Sequence, residues 1–442
     1  MDTNSLNLDQ LISLVAKRAV QEMHQPSEFI AGETKIPVSG KVFDEQEISN
    51  AIRASAEFWL TGGKTTEMFE RALSKVFGVR SASMCNSGSS ANLIAVSALT
   101  SPSLGLRALK PGDEVITVAA GFPTTVAPII QNRLVPVFVD VDLETLSPNL
   151  EEIRMAISDK TKAIIFAHAL GNPFDIEGVS KIARDNDLWL IEDCCDALGT
   201  TYLGKHVGSF GDIATVSFYP AHHITTGEGG AVLTKHAKLK PIIESFRDWG
   251  RDCWCLPGCD NTCAKRFEWD FPELPKGYDH KYVYSHIGYN LKSGEIQAAI
   301  GLAQLEKLGK FIEKRKTNWR FLHDGLSHLS EFLILPKATE GSDPSWFGFA
   351  LTVRNQDSKS RNELIQYLDA LGIQTRLFFA GNLTKQPGFK DIQSRSVSEL
   401  ATTNRVMAST FWLGVWPGLT QEMLEFVISS ISAFFTDKEL VK

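Results

Sequence analysis

The feature that most constrains this chain is a set of five short apolar segments between residues 45 and 240, separated by stretches of helical character. They are Asp113–Ala119, Val135–Asp140, Ala163–Ala167, Leu188–Ile191 and Ile213–Phe218. Strands this apolar must be buried on both faces. Alternating with helices, they read as a mostly parallel sheet covered on each side, an α/β fold. At 442 residues the chain is about three times the ~150-residue length prior for one domain, so further units must accompany the sheet. Leu8, Leu11, Ile12, Val15 and Ala19 fall at helical spacing, and a Pro- and Gly-punctuated stretch follows at 26–40. Residues 1–40 are therefore expected to form a helical appendage. Residues 41–329 would form the large α/β domain, with a loop-rich, cysteine-rich insertion at 250–285 and a closing helix from Ser293 to about Leu329. Residues 330–442 would form a smaller C-terminal α+β domain.

Charge and hydropathy remove several classes of function. Lys+Arg 45 against Asp+Glu 52 gives a net charge of −7 without a long basic run, so no nucleic-acid partner is expected. No apolar stretch reaches the ~20 residues that span a bilayer. The N-terminal residues lack a basic segment followed by an apolar core. The expected setting is cytoplasmic, with no membrane association.

Four segments carry chemistry. Asn86-Ser-Gly-Ser-Ser-Ala-Asn92 links a strand to a helix. Its small residues expose backbone N–H groups at the positive end of a helix dipole, which makes either a phosphate cradle or an ordinary Ser-rich N-cap. Leu188–Gly199 ends an apolar strand in Glu192 and Asp193. Parallel sheets bind ligands at such ends, and Asp193 there could meet a cationic heterocycle or simply cap the strand. Thr215–Ala231 runs from a strand into a turn holding His222 and His223, then into a Gly-rich return. Ile287–Leu305 is a loop feeding a helix of small residues, which also reads as a packed interface helix.

In order and spacing these segments resemble the sugar-modifying branch of the fold-type I pyridoxal-phosphate enzymes, the DegT/DnrJ/EryC family, from about Pro37 onward. The resemblance implies that Asp193 pairs with the pyridine nitrogen of the cofactor, where its charge favours the protonated ring and makes it an electron sink. It places Phe122, in Ala120-Gly-Phe-Pro-Thr-Thr125, against the cofactor ring, and gives Gly88, Ser89 and Ser217 to its phosphate. Asn290 would reach the phosphate of a partner subunit, which implies a homodimer with composite sites. Arg376 resembles a substrate contact of the family; the other reading is a strand-end salt bridge. One position departs from the pattern. Most members carry a lysine in the Ser-Phe turn, covalently linked to the cofactor, and alignment of the turn puts His222 there, with His223 one place too far. Imidazole cannot make that link. The cofactor is then expected as non-covalently held pyridoxamine or pyridoxal 5′-phosphate, with His222 moving a proton near neutral pH. The exchange argues against a simple aminotransferase and fits the 3-dehydrases of 4-keto-6-deoxy sugars.

The seven cysteines are unevenly spread. In a long cytosolic chain a disulfide framework is improbable, and metal or redox chemistry rises instead. Cys195 is followed by 57 residues, Cys253, one residue, Cys255, seven residues and Cys263. Spacing alone leaves a cluster and a structural zinc open. The order resembles the 2Fe–2S signature of the CDP-4-keto-6-deoxy-D-glucose 3-dehydrases, with Cys194 and Cys259 outside it. That resemblance implies a CDP-linked 4-keto-6-deoxyhexose as substrate, loss of its C3 hydroxyl, and electrons supplied by an iron–sulfur flavoprotein reductase. The competing expectations are a cluster-free dehydratase, a sugar aminotransferase, and a non-catalytic iron–sulfur or zinc protein on the same scaffold.

Overall fold

The computed structural model describes residues 6–24, 28–253, 255, 260–354 and 358–436. Cys259 lies outside the described residues. The five apolar segments form β2 (Glu114–Val118), β3 (Val135–Val139), β4 (Thr161–Ala167), β5 (Trp189–Asp193) and β8 (Ile213–Ser217). They join β1 (Ser81–Cys85), β9 (Gly230–Thr234) and the two-residue β14 (Arg395–Ser396) in one sheet of order β1-β9-β8-β5-β4-β2-β3-β14. All pairings from β8 to β14 are parallel, and β9 alone runs antiparallel to both of its neighbours. Strands β1, β2, β3, β5, β8 and β9 are buried at every position, as a sheet with both faces covered requires. Between β5 and β8 lies a small hairpin, β6 (Thr201–Tyr202) and β7 (Lys205–His206), joined by β11 (Ser342–Asp343).

Among the described residues up to 250 there are eight α-helices. Helix α1 (Leu8–Met23) carries a capping box at Asn7 and packs on α2 (Glu45–Glu57), burying Ile12 and Ala16. Next come α3 (Lys64–Phe77), α4 (Gly88–Ala98), α5 (Pro123–Gln131), α6 (Leu150–Ala156), α7 (Ile176–Asp185) and α8 (Leu239–Arg247). The 32-residue α9 (Glu295–Leu326) spans the molecule. Its first carboxylate, Glu295, accepts from the backbone N–H groups of Gly63, Thr65 and Thr66 (each 2.8 Å), tying the N-terminus of α3 to α9.

Beyond α9, an antiparallel sheet of order β10 (Leu333–Ile334), β12 (Gly348–Val353), β15 (Thr410–Gly414), β13 (Arg376–Leu377) packs with α10 (Ser358–Ala370), α11 (Ala401–Ser409) and α12 (Gln421–Thr436). Its core joins Phe349, Leu351, Leu364, Phe411, Leu424 and Ile431 to Trp319 and Leu322 of α9. Two crossings bind the ends of the chain together. Ile36 bridges to Ile373, and the Trp416 indole donates to the Pro37 carbonyl (2.9 Å). In the other direction β14 leaves the C-terminal unit to pair with β3, and Arg395 makes a two-pronged contact with Glu114 of β2 (2.9 and 2.7 Å). No helix among the described residues is long and apolar enough to cross a membrane.

Candidate active site

The site lies where β5 and β8 end beside the start of α4. Asp193, the last residue of β5, is 5% exposed and accepts three hydrogen bonds. Asn92 Nδ2 (2.8 Å) and Thr125 Oγ1 (2.7 Å) reach Oδ2, and the Cys195 N–H reaches Oδ1 (3.1 Å). Asn92 is itself oriented by Thr215 Oγ1 (2.6 Å). A carboxylate this well held keeps its negative charge pointed one way.

Gly88 begins α4 behind the Ser87 N-cap. A Cβ there would stand 2.5 Å from Ser217 Cβ and 3.0 Å from Cys195 Sγ, so only glycine lets these chains approach. Gly88 and Ser217 thus meet at the start of α4, where Ser89 follows and donates to Thr124 Oγ1 (3.2 Å), and a helix N-terminus favours an anion. Phe122, half exposed, caps the start of α5 and meets Phe379 edge-on at 6.1 Å.

The two histidines of the turn after β8 have separate fates. His223 is buried and its Nε2 lies 2.7 Å from the Ser345 carbonyl, in the interior. His222 faces Asp196, with Nδ1 3.4 Å from Oδ1, and its ring tilts over Phe347 at 5.1 Å. Burial lowers His222 to about 4, helped by the Arg315 charge and opposed by Asp193. Burial likewise lifts Asp196 to about 7, together with the Asp193 charge, against the Leu170 N–H and Arg315. At neutral pH His222 is therefore an uncharged imidazole, and its contact with Asp196 is not an ion pair of two full charges. Sequence reasoning missed Asn92, Thr125, Asp196, Phe347 and Arg315. Asn92, Thr125 and Asp196 stood in the motifs themselves, three residues after Ser89, Phe122 and Asp193 respectively.

The remaining candidates sit further out. Asn290 is exposed, and its backbone bridges to Asp248. Arg376, exposed on β13, donates to the Thr375 carbonyl (2.8 Å) and pairs with no carboxylate among the described residues. The salt-bridge reading of Arg376 therefore has no support in the structure.

The cysteines divide. Cys253, Cys255 and Cys263 are gathered in the insertion. Burial works to raise the Cys255 thiol, but Thr262, Cys263 and Cys253 outweigh it and bring it down to about 7. Cys263 Sγ also lies 3.1 Å from His280 Nε2. Cys195 lies under the phosphate cradle, its Sγ beside Gly88. Burial and the charges of Asp193 and Asp196 hold it well above the ordinary thiol range. The four cysteines expected around one cluster are not among the ligand groups that close to within 4.8 Å of one another in the described residues. Among the described residues, three ligand atoms converge within 4.8 Å only at His168, Glu192 and Cys194. Glu192 there already receives His168 Nε2 (3.1 Å) and the N–H groups of Gly208, Phe210 and Gly211. Burial pushes this carboxyl up, yet those partners bring it below its usual range, so it reads as a fully hydrogen-bonded carboxylate beneath the site.

The sequence pattern of the DegT/DnrJ/EryC1/StrS aminotransferase family matches residues 42–432. The chain is 57% identical over 435 residues to the lipopolysaccharide biosynthesis protein RfbH of Salmonella typhimurium, covering 98% of this chain and 99% of that one. It is 50% identical over 419 residues to the dTDP-4-dehydro-2,6-dideoxy-D-glucose 3-dehydratase of Saccharopolyspora spinosa, covering 94% and 90%. Among solved structures, an E. coli GDP-4-keto-6-deoxy-D-mannose-3-dehydratase with bound hydrated PLP superposes with a TM-score of 0.80 at 28% identity, over 89% of this chain and 98% of that one. The fold is that of the fold-type I pyridoxal-phosphate enzymes, and the chain belongs to the DegT/DnrJ/EryC1/StrS aminotransferase family.

Proposed function

We propose that this chain removes the C3 hydroxyl of a nucleotide-linked 4-keto-6-deoxyhexose, using pyridoxamine or pyridoxal 5′-phosphate held without a covalent bond. The observation that carries the reading is the turn after β8. No lysine occurs between Lys205 and Lys235, and the turn instead presents His222, set against Asp196 and within the field of the Asp193 charge. The 3-dehydratases among the similar proteins support the reaction class.

The residues present fit the cofactor: a glycine-made cradle for its phosphate and a triply hydrogen-bonded carboxylate for its ring nitrogen. When bound, the cofactor supplies an amine for the C4 ketone and a ring that takes up electron density. In this reading Asp193 keeps the ring nitrogen protonated. Gly88, Ser89 and Ser217 bind the phosphate, and Phe122 covers one ring face. His222, neutral at working pH, takes and returns the proton at the carbon beside the ring. Arg376 faces the sugar nucleotide, and Asn290 serves the site of a second copy in a homodimer.

Assay of CDP-, dTDP- and GDP-linked 4-keto-6-deoxyhexoses with added pyridoxamine phosphate tests the reading. We take CDP as the nucleotide. Turnover of another sugar nucleotide alone moves that assignment, and turnover of none sinks the function.

A second reading, in which a 2Fe–2S cluster passes electrons from a flavoprotein reductase, is favoured by the contacts of Cys255 with Cys253 and with Cys263. Neighbouring thiols are the donors such a metal would take, and no step is routed through a cluster. Iron and acid-labile sulfide on anaerobically purified protein decide it. About two of each per chain support the electron relay, and zinc or no metal leaves a cluster-free dehydratase.

A further inference from the structure

The turn that carries His222 is gripped from a distance of 93 residues. Arg315 of α9 is 1% exposed, and its Nη2 donates to the His222 carbonyl (3.2 Å). Its Nη1 reaches the carbonyls of Trp346 (3.3 Å) and Phe347 (3.5 Å), just ahead of β12. The guanidinium carbon stands 5.9 Å from the centre of the Phe347 ring, over which the His222 ring is tilted. No carboxylate among the described residues lies within salt-bridge distance of Arg315, and its Nε has no hydrogen-bond partner. A guanidinium is a costly occupant of a core, and one bound only to carbonyls is poorly compensated there. If stability alone were at stake, an apolar side chain of similar volume would serve better. What arginine offers instead is a rigid fork that can hold two segments in one fixed relation. Its acceptors come from two places only, the His222 turn and the Trp346–Phe347 segment.

We propose that Arg315 is the positioning residue of His222, locking its carbonyl to the Trp346–Phe347 segment so that the imidazole is presented between Asp196 and Phe347. Arg315 is not given a reacting atom, although its charge is felt by both His222 and Asp196. It makes the proton-transferring geometry depend on how the C-terminal unit docks. This inference rests on the proposed role of His222.

The test compares Arg315→Lys, which keeps charge and length but loses the fork, with Arg315→Gln and with His222→Asn. Two readouts are used. One is solvent deuterium incorporation at C4′ of pyridoxamine phosphate bound to the full-length enzyme with CDP-4-keto-6-deoxy-D-glucose. The other is amide hydrogen exchange in the peptide covering residues 218–226, measured without sugar. Both Arg315 variants should lose about 10²-fold in incorporation rate with sugar and cofactor affinities unchanged, the scale of a small misplacement of a reacting group. The 218–226 peptide should lose protection while β5 keeps its own. Parent-level rate and protection in Arg315→Lys would overturn the proposal. So would loss of the fold in both Arg315 variants, since the residue would then serve stability alone. His222→Asn separates the two claims. If it retains the parent rate, the proposed function fails; if it is inactive while the Arg315 variants match the parent, only the positioning role falls.

Discussion

Two carboxylates three residues apart divide the work of the site because their surroundings differ. Asp193 is wrapped by three donors, whereas Asp196 receives one long N–H contact from Leu170 (3.4 Å) and lies beside the Asp193 charge. Asp196 therefore titrates near 7, and His222 near 4. A base acts when deprotonated, so activity limited by His222 persists above pH 4 and falls only below it. In a profile of kcat/KM against pH, an acid limb near 7 should belong to Asp196 and vanish in Asp196→Asn. A limb near the unperturbed imidazole value of about 6.5 that survives in Asp196→Asn would contradict the buried, neutral His222. Gly88 allows a second prediction. Gly88→Ala drives a methyl into Ser217 and Cys195, which should cost about 1–3 kcal/mol of stability by overpacking. It should also weaken pyridoxal phosphate binding, followed by absorbance titration; unchanged affinity would remove Gly88 from the phosphate cradle. His222→Lys restores the amine common in the family and should yield measurable transamination with glutamate; no gain over the parent would argue that more than this position sets the reaction.

At the scale of elements, the strands were legible because their message is local. Runs such as Val135-Pro-Val-Phe-Val139 are apolar on both faces, and only a covered parallel sheet accepts them. The antiparallel direction of β9 was not legible, since alternation and composition carry no sign of direction. Nor was β14 legible, a two-residue strand in a polar stretch whose place is set by a side chain. Arg395 grips Glu114 with two nitrogens, and chiefly for that reason Glu114 is held down to about 2. Its folded value lies below the unfolded one of about 4.3, so the pair's contribution is complete above pH 4.3 and lost as pH falls toward 2. Arg395 is about a third exposed, which discounts the pair to about 1 kcal/mol. Arg395→Ala should lower the melting temperature by about 2–4 °C at pH 7. That gap should narrow in acid below pH 4.3, and a gap that does not narrow would separate the edge strand's stability from this pair.

For the whole molecule, the exposed Asn290 is the residue that asks for a second copy. If it completes the neighbour's site, Asn290→Asp and His222→Asn should each be inactive alone. Mixed and allowed to exchange subunits, they should regain part of the parent activity through sites that carry neither change. No recovery from subunits that demonstrably exchange would place Asn290 within its own chain's site or outside any site. The sequence by itself determined the layered α/β core, the strand-end acid at Asp193, the small-residue turn at Gly88 and the histidine in place of lysine. Each of these is a local pattern in which a few consecutive residue types meet one physical demand. Only the tertiary structure decided that Asn92 and Thr125 hold Asp193, that His222 is set against Asp196 and Phe347, and that Arg315 grips the His222 turn. These depend on which distant segments pack together, and spacing along the chain does not encode that distance.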